Sequence, residues 1–254
     1  MLGMLLAGAA ACTSSDSDDP PSPPGTDGRG APPPTVFTAP PDGGGLEVVE
    51  TGFSIMPGSG DANVVSFGAI IENTSGAVAH DSVVSIWLVD ADGERIDGPV
   101  EGASAFDQRL TRLLPGERVG VGATQSVSDE VADLDVEIKP ATEWLALDRE
   151  YWLHQPVVAR DVTIVRVPGS TTIEFTVDAA YTSEMVPGGF GTRGDYIAIF
   201  RDAAGTLVGG VDCCVPLAAS DVVSPGRSRG ALALHYGVPE RADDSHTEVY
   251  VLLG

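Results

Sequence analysis

Ser82-Val83-Val84-Ser85-Ile86-Trp87-Leu88-Val89 is followed directly by Asp90-Ala91-Asp92-Gly93. The first stretch is rich in β-branched and aromatic residues, and its apolar side chains recur at every second position. This pattern predicts a β-strand. The second stretch is typical of a hairpin loop, because Asp favours turns and Gly tolerates a positive φ. Similar apolar runs, such as residues 64–70, alternate with turn signals from Leu46 onward, whereas few stretches show helical periodicity.

Five turn or strand landmarks of this part of the chain recur in the same order, at offsets of 108 to 113 residues. The pairs are Pro57-Gly58-Ser59 with Pro168-Gly169-Ser170, Asn73-Thr74-Ser75 with Tyr181-Thr182-Ser183, Asp90-Ala91-Asp92-Gly93 with Asp202-Ala203-Ala204-Gly205, Leu114-Pro115-Gly116-Glu117-Arg118 with Ser224-Pro225-Gly226-Arg227-Ser228, and Val136-Glu137-Ile138 with Val249-Tyr250-Val251. Regular turn signals without intervening helices predict antiparallel sandwiches. The sequence therefore predicts an all-β protein with two tandem β-sandwich domains, residues 46–140 and 157–254.

The run Ile86-Trp87-Leu88-Val89-Asp90 resembles the F-x-L-Y-D signature of a bacterial immunoglobulin-like domain family named for that motif. Its context is similar as well, with Ile71-Glu72-Asn73-Thr74-Ser75 before it and Leu113-Leu114-Pro115-Gly116-Glu117 after it. The second copy, around Ala198-Ile199-Phe200-Arg201-Asp202, is more divergent. The resemblance implies immunoglobulin-like sandwiches of the kind found in exported and lipid-anchored proteins, and it carries no catalytic signature.

The amino terminus reads MLGMLLAGAAA and then Cys12. This apolar stretch is too short to span a bilayer, which takes about 20 residues, and it is typical of an export signal. Its end, Ala9-Ala10-Ala11-Cys12, resembles a bacterial lipobox, so residues 1–11 are predicted to be a lipoprotein signal peptide and Cys12 the lipidated residue. Residues 12–45 are rich in Ser, Asp, Pro and Gly, a composition that predicts a disordered tether. The protein is thus expected at the cell membrane, lipid-anchored and outside the cytoplasm.

The chain has 37 acidic and 14 basic residues, a net charge of −23. Such acidity argues against a nucleic-acid partner, because Lys and Arg hold phosphate backbones. The charge is concentrated in residues 46–140, which carry 17 acidic and 5 basic side chains. A solvated acidic surface that keeps an anchored protein soluble and away from an anionic membrane accounts for this distribution.

Residues 141–156 read ATEWLALDREYWLHQP, and they are predicted to link the two domains. Trp144, Leu147 and Tyr151 lie at helical spacing, which indicates a short helix. Alternatively, Trp144 and Leu145 extend the preceding strand and the rest is loop. In either case Trp144, Tyr151 and Trp152 concentrate aromatic surface at the junction, where packing between the domains is the expected role.

Cys213-Cys214 is the most unusual pair in the chain. Thiols of an exported protein are expected to oxidise, and a vicinal disulfide would stiffen the local turn. The alternatives for the pair are a redox switch, a soft-metal site, an intermolecular disulfide or reduced thiols. An exported redox or metal-binding protein is the alternative function. Asp90, Asp92 and Glu94 are weak candidates for binding calcium, because an EF-type loop needs more ligands.

Trp87 alternates with Ile86 and Leu88 and is therefore predicted to face away from them, partly exposed. The repeat predicts that Val84, Ile86 and Leu88 occupy one core and that Tyr196, Ala198 and Phe200 are their counterparts in the other. Trp87, Trp144 and Trp152 are the candidate interaction surface. We expect a monomeric, non-catalytic binding or structural protein without a cofactor, attached to the membrane by its lipid and facing a protein or cell-wall partner.

Overall fold

The structure is a computed structural model. It describes residues 35–58, 62–98, 102–141, 143–146, 157–168, 170–179, 192–212, 222–223, 226–234 and 236–253. The strands of the first half are β1 (Val36–Phe37), β2 (Leu46–Pro57), β3 (Asn63–Asn73), β4 (Val78–Val89), β5 (Arg95–Ile96), β6 (Phe106–Leu113), β7 (Arg118–Val127), β8 (Asp133–Lys139) and β9 (Glu143–Leu145). Those of the second half are β10 (Val157–Val167), β11 (Ser170–Ala179), β12 (Thr192–Arg201), β13 (Leu207–Asp212), β14 (Val222–Val223), β15 (Gly226–Leu234) and β16 (Glu248–Leu253), with a 3-10 turn at Asp244–His246.

These strands form four antiparallel sheets. Sheet A is centred on β4, which pairs with β5 and β6 at one edge and with β8 and β9 at the other, and β1 pairs with β9. Sheet B has the order β2-β3-β7. Sheet C has the order β10-β11-β15, and sheet D consists of β12 paired with β13, β14 and β16. The prediction of an all-β fold with antiparallel sheets is confirmed.

Two hydrophobic cores give the sheets their β-sandwich character. Val84, Ile86 and Leu88 of sheet A pack in the first core with residues of sheet B. Tyr196, Ala198 and Phe200 of sheet D pack in the second core with residues of sheet C. The predicted inward-facing sets are confirmed, and they follow from the alternation of side chains along a strand.

The two halves have the same order of strand pairing. When strands are counted from β2 in the first half and from β10 in the second, the first, second and sixth form one sheet, and the third pairs with the fourth, fifth and seventh in the other. This agreement supports the predicted duplication. The tandem-copy origin, the boundaries between the two domains and the immunoglobulin-like assignment stay predictions, and Pro34–Gly254 group as one compact unit.

The structure differs from the predicted tether at its end, because part of residues 35–45 packs on sheet A. Val36 and Phe37 pair with Leu145 and Trp144, and Phe37 packs against the first core. A tether boundary at residue 45 is therefore wrong, since the single aromatic of this polar segment has apolar surface to cover. Residues 1–34, which include Cys12, lie outside the described residues.

The described start of the linker is extended. β9 pairs with Val78–His80 on the same edge of β4 that β8 occupies from Val83 onward. Trp144 and Leu145 therefore continue the course of the last strand, as one of the two alternatives predicts. Residues 147–156, where the rest of the helical spacing falls, lie outside the described residues.

Candidate functional site

The predicted calcium candidates form a hairpin loop. The Asp90 carboxylate accepts hydrogen bonds from the main-chain N–H groups of Asp92 (2.9 Å) and Glu94 (2.8 Å). The N–H of Gly93, with φ +82°, donates to the Asp90 carbonyl oxygen. Within the described residues, no group of three or more His, Cys, Asp or Glu side chains is placed to hold a metal ion. One Asp90 oxygen is thus used to build the turn.

The loop at Asp202 repeats this arrangement. The Asp202 carboxylate accepts from the N–H groups of Ala204 and Thr206, each at 3.0 Å, and Gly205 has φ +83°. The Thr206 hydrogen bond is the main reason that the pKa of Asp202 lies below its ordinary value. Both predicted hairpin loops are confirmed, and in both the Asp is a turn former.

The tryptophans occupy different environments. Trp87 is half-buried on the outer face of sheet A, with the Arg95 guanidinium carbon 4.6 Å from its ring centroid, a distance at which a cation–π interaction stabilises the pair. Trp144 is only 5% exposed and belongs to the first core. Its place in the candidate interaction surface is therefore wrong, because pairing with β1 and β4 buries it in the first core. Trp152 lies outside the described residues, as do Cys213 and Cys214.

The outer face of sheet B packs directly on the outer face of sheet D. Gly52, Gly68 and Gly122 are paired neighbours across the three strands of sheet B, so a row without side chains crosses the sheet. A Cβ atom at Gly68 would lie 3.0 Å from Ile199 Cδ1, and one at Gly122 would lie 3.2 Å from the Gly210 Cα atom. The glycine row thus allows the two halves to approach through their backbones.

Two serines of sheet B form hydrogen bonds with β13 in the same interface. The Ser66 hydroxyl donates to the Gly210 carbonyl oxygen at 2.9 Å and accepts from the Gly210 N–H at 3.1 Å. The Ser54 hydroxyl donates to the Val208 carbonyl oxygen at 2.6 Å. Since Ser66 is fully buried, these bonds satisfy main-chain groups that water does not reach.

An ion pair lies beside the glycine row. Both Glu50 carboxylate oxygens accept from Arg201 Nη1, at 2.8 and 2.7 Å, and the Leu207 N–H donates to Glu50 at 3.0 Å. Arg201 also contacts Glu248 at 3.3 Å. The Arg201 side chain is only 16% exposed, so this network is screened less by solvent than a surface pair. It connects the first strand of sheet B to the β12–β13 hairpin.

A cleft of about 430 Å³ lies beside this interface. All four sheets contribute an edge strand to its lining: residues 111–113 of β6, 118–119 of β7, 157–159 and 162 of β10, and 248–252 of β16. Half of the lining residues are valine or leucine. Arg112, Glu117, Arg118 and Glu248 supply charge, and burial raises the pKa of Glu117. The mixed lining and the position between two packed halves are typical of binding clefts.

Tyr250 connects the cleft to the interface. Its ring lies against Gly120, where a Cβ atom would collide with it. Its hydroxyl group donates to the Glu248 carboxylate at 2.9 Å, and burial is the main cause that raises the Tyr250 pKa. The phenol therefore stays protonated at neutral pH, and it holds the Glu248 carboxylate that also contacts Arg201.

No family model, curated protein or solved structure matches the chain. The resemblance to the F-x-L-Y-D family therefore stays a prediction. In the part of the chain that the structure describes, no helix has the length and apolar character needed to cross a bilayer.

Proposed function

We propose that this chain is a bacterial cell-surface lipoprotein with a non-catalytic binding or structural role. The sequence supports the location, because an apolar segment with small residues before Cys12 is followed by a polar, Pro-rich stretch. The observation that supports the role is the interface between the halves. Buried hydrogen bonds from Ser66 to Gly210 and an ion pair from Glu50 to Arg201 hold the two halves as one body.

A fixed relation between the halves has a consequence for binding. An interface that is already ordered costs no further ordering entropy when a partner contacts both halves. The cleft is lined by β6 and β7 of the first half and by β10 and β16 of the second. A partner seated there would meet surfaces whose geometry the interface fixes, which is the property expected of a binding module.

The location is tested by lipid labelling of the full-length protein in a bacterial host. Cells are grown with an alkyne-tagged fatty acid, and the membrane fraction is compared for the wild type, Cys12→Ser and the matched control Cys213→Ser. We expect the label and membrane retention to be lost in Cys12→Ser alone, because a thioether-linked lipid needs the Cys12 sulfur. Equal labelling of wild type and Cys12→Ser would contradict the proposal.

A further inference from the structure

The outer edge of β16 lies in the cleft. Residues 248–252 line it consecutively, whereas successive side chains of a strand point to opposite faces. A run of consecutive lining residues therefore means that the strand presents its edge and not one face. β16 pairs with β12 along its other edge, and within the described residues it pairs with nothing else.

The same is true of the strands that surround it. β6, β7 and β10 are each the terminal strand of their sheet in the described part of the chain. Terminal strands carry main-chain N–H and C=O groups without ladder partners, and another extended chain can pair with them. Four such edges converge on one cleft, which the charged residues Arg112, Glu117, Arg118 and Glu248 also line.

The first half gives a precedent for strand addition at β9, which lies next to β8, the counterpart of β16. β8 and β9 lie along the edge of β4 that corresponds to the β12 edge occupied by β16. The outer side of β9 is paired with β1, through Val36–Leu145 and Phe37–Trp144. The extended segment Val36–Phe37 thus adds a strand to the outer edge of β9.

We infer that the cleft is a strand-addition site, in which an extended segment of a partner polypeptide pairs with the free edge of β16. The inference rests on the proposed binding role and names the class of partner. The added strand extends sheet D, so its side chains alternate between two walls. One set meets Val157 and Val162 of β10, and the other meets Arg112 and Arg118. Main-chain hydrogen bonds provide affinity and the valine wall selects apolar residues, as in known modes of strand addition.

The test uses the full-length protein and a fluorescent probe peptide of seven residues, alternating Thr and Val, with blocked ends. Two matched peptides carry N-methyl groups on the valines alone or on the threonines alone. Alternate residues of a strand donate to opposite sides, so each methylated peptide loses the donors of one edge. We expect saturable binding of the probe, at least about tenfold weaker binding of one methylated peptide, and unchanged binding of the other.

Two variants in strand β10 test whether the probe peptide binds in the cleft. Val158 is 39% exposed and lines the cleft, whereas Val167 is 55% exposed and does not. Val158→Lys should weaken probe binding at least about tenfold, because it places a charge beside the added strand, and Val167→Lys should leave it unchanged. Equal binding of both methylated peptides would overturn strand addition while leaving a binding role in place.

Hydrogen exchange in the peptide-free protein provides a second readout. The amides of β16 that do not pair with β12 should exchange rapidly and become protected when the probe binds. Slow exchange of those amides without peptide, together with no saturable binding, would show that the chain itself already pairs with this edge and would overturn the inference. Membrane labelling at Cys12 would remain unaffected by that outcome.

Discussion

The Ser66 hydroxyl group and the main-chain groups of Gly210, which are 144 residues apart in the sequence, form two hydrogen bonds in the buried interface between sheets B and D. Ser66→Ala leaves both Gly210 groups without these partners. An unsatisfied buried polar group costs about 1–3 kcal/mol, so we expect a loss of that size in the free energy of unfolding, measured by urea denaturation. Ser126→Ala, at an exposed position of β7, is the control and should change stability little. Equal stability of Ser66→Ala and wild type would contradict the role given to this contact.

Gly52 lies where β2 meets the main chain of Leu207. A Cβ atom there would collide with the Leu207 carbonyl oxygen, which is part of a strand and moves only with it. We expect Gly52→Ala to lower the free energy of unfolding toward the upper end of the about 1–3 kcal/mol that overpacking costs. Gly45→Ala is the matched control, because no atom lies within 4 Å of a Cβ placed there. Similar thermal stability of the two variants would show that the sheets do not approach as described.

Asp202 gives a pH-dependent prediction. Its pKa is lowered from an ordinary value of 3.8, first by the Thr206 N–H and also by Arg241. A carboxyl group whose pKa is lower in the folded state stabilises the fold above its unfolded pKa, and this contribution disappears as the pH falls through the folded pKa.

We therefore expect Asp202→Asn to be less stable than wild type at pH 7, and the difference to shrink as the pH falls below about 3.8. Urea denaturation of both proteins across this pH range measures the difference in the free energy of unfolding. Asp92→Asn, at an exposed position of the matching loop, should show a smaller effect at pH 7. If the stability difference between wild type and Asp202→Asn grew at acid pH, the role given to the Asp202 carboxylate would be contradicted.

Local features of the fold were predictable because they depend on a few neighbouring residues. Asp90 and Asp202 each build a hairpin loop, and Gly116, with φ +71°, follows Pro115 in the turn that the Pro-Gly pair predicts. The inward orientation of the Ile86 and Phe200 side chains follows in the same way from the alternation of side chains along a strand.

The stacking of sheet B on sheet D was not predicted from the sequence, although a signal for it is present. Residues 64–71 are buried on both faces, and Ile197 and Ile199 pack toward the first core while Ala198 and Phe200 pack in the second. A continuous apolar run is typical of a strand covered on both sides. The pairing of Gly52, Gly68 and Gly122 depends on strand register, which joins residues far apart in sequence and is not visible in a local pattern.

The central claim is that the two halves form one body. To test it, a destabilising substitution is placed in one half and the unfolding of the other half is measured. Trp87 and Trp144 both lie in the first half, so Trp152→Phe leaves tryptophan fluorescence that reports on sheet A. In that background Ile173→Ala removes a fully buried side chain from the second core, which costs about 2–5 kcal/mol. We predict that the urea midpoint measured by tryptophan fluorescence falls together with the midpoint measured by circular dichroism. A fluorescence midpoint that stays at the parent value, while circular dichroism shows a separate earlier transition, would contradict the claim.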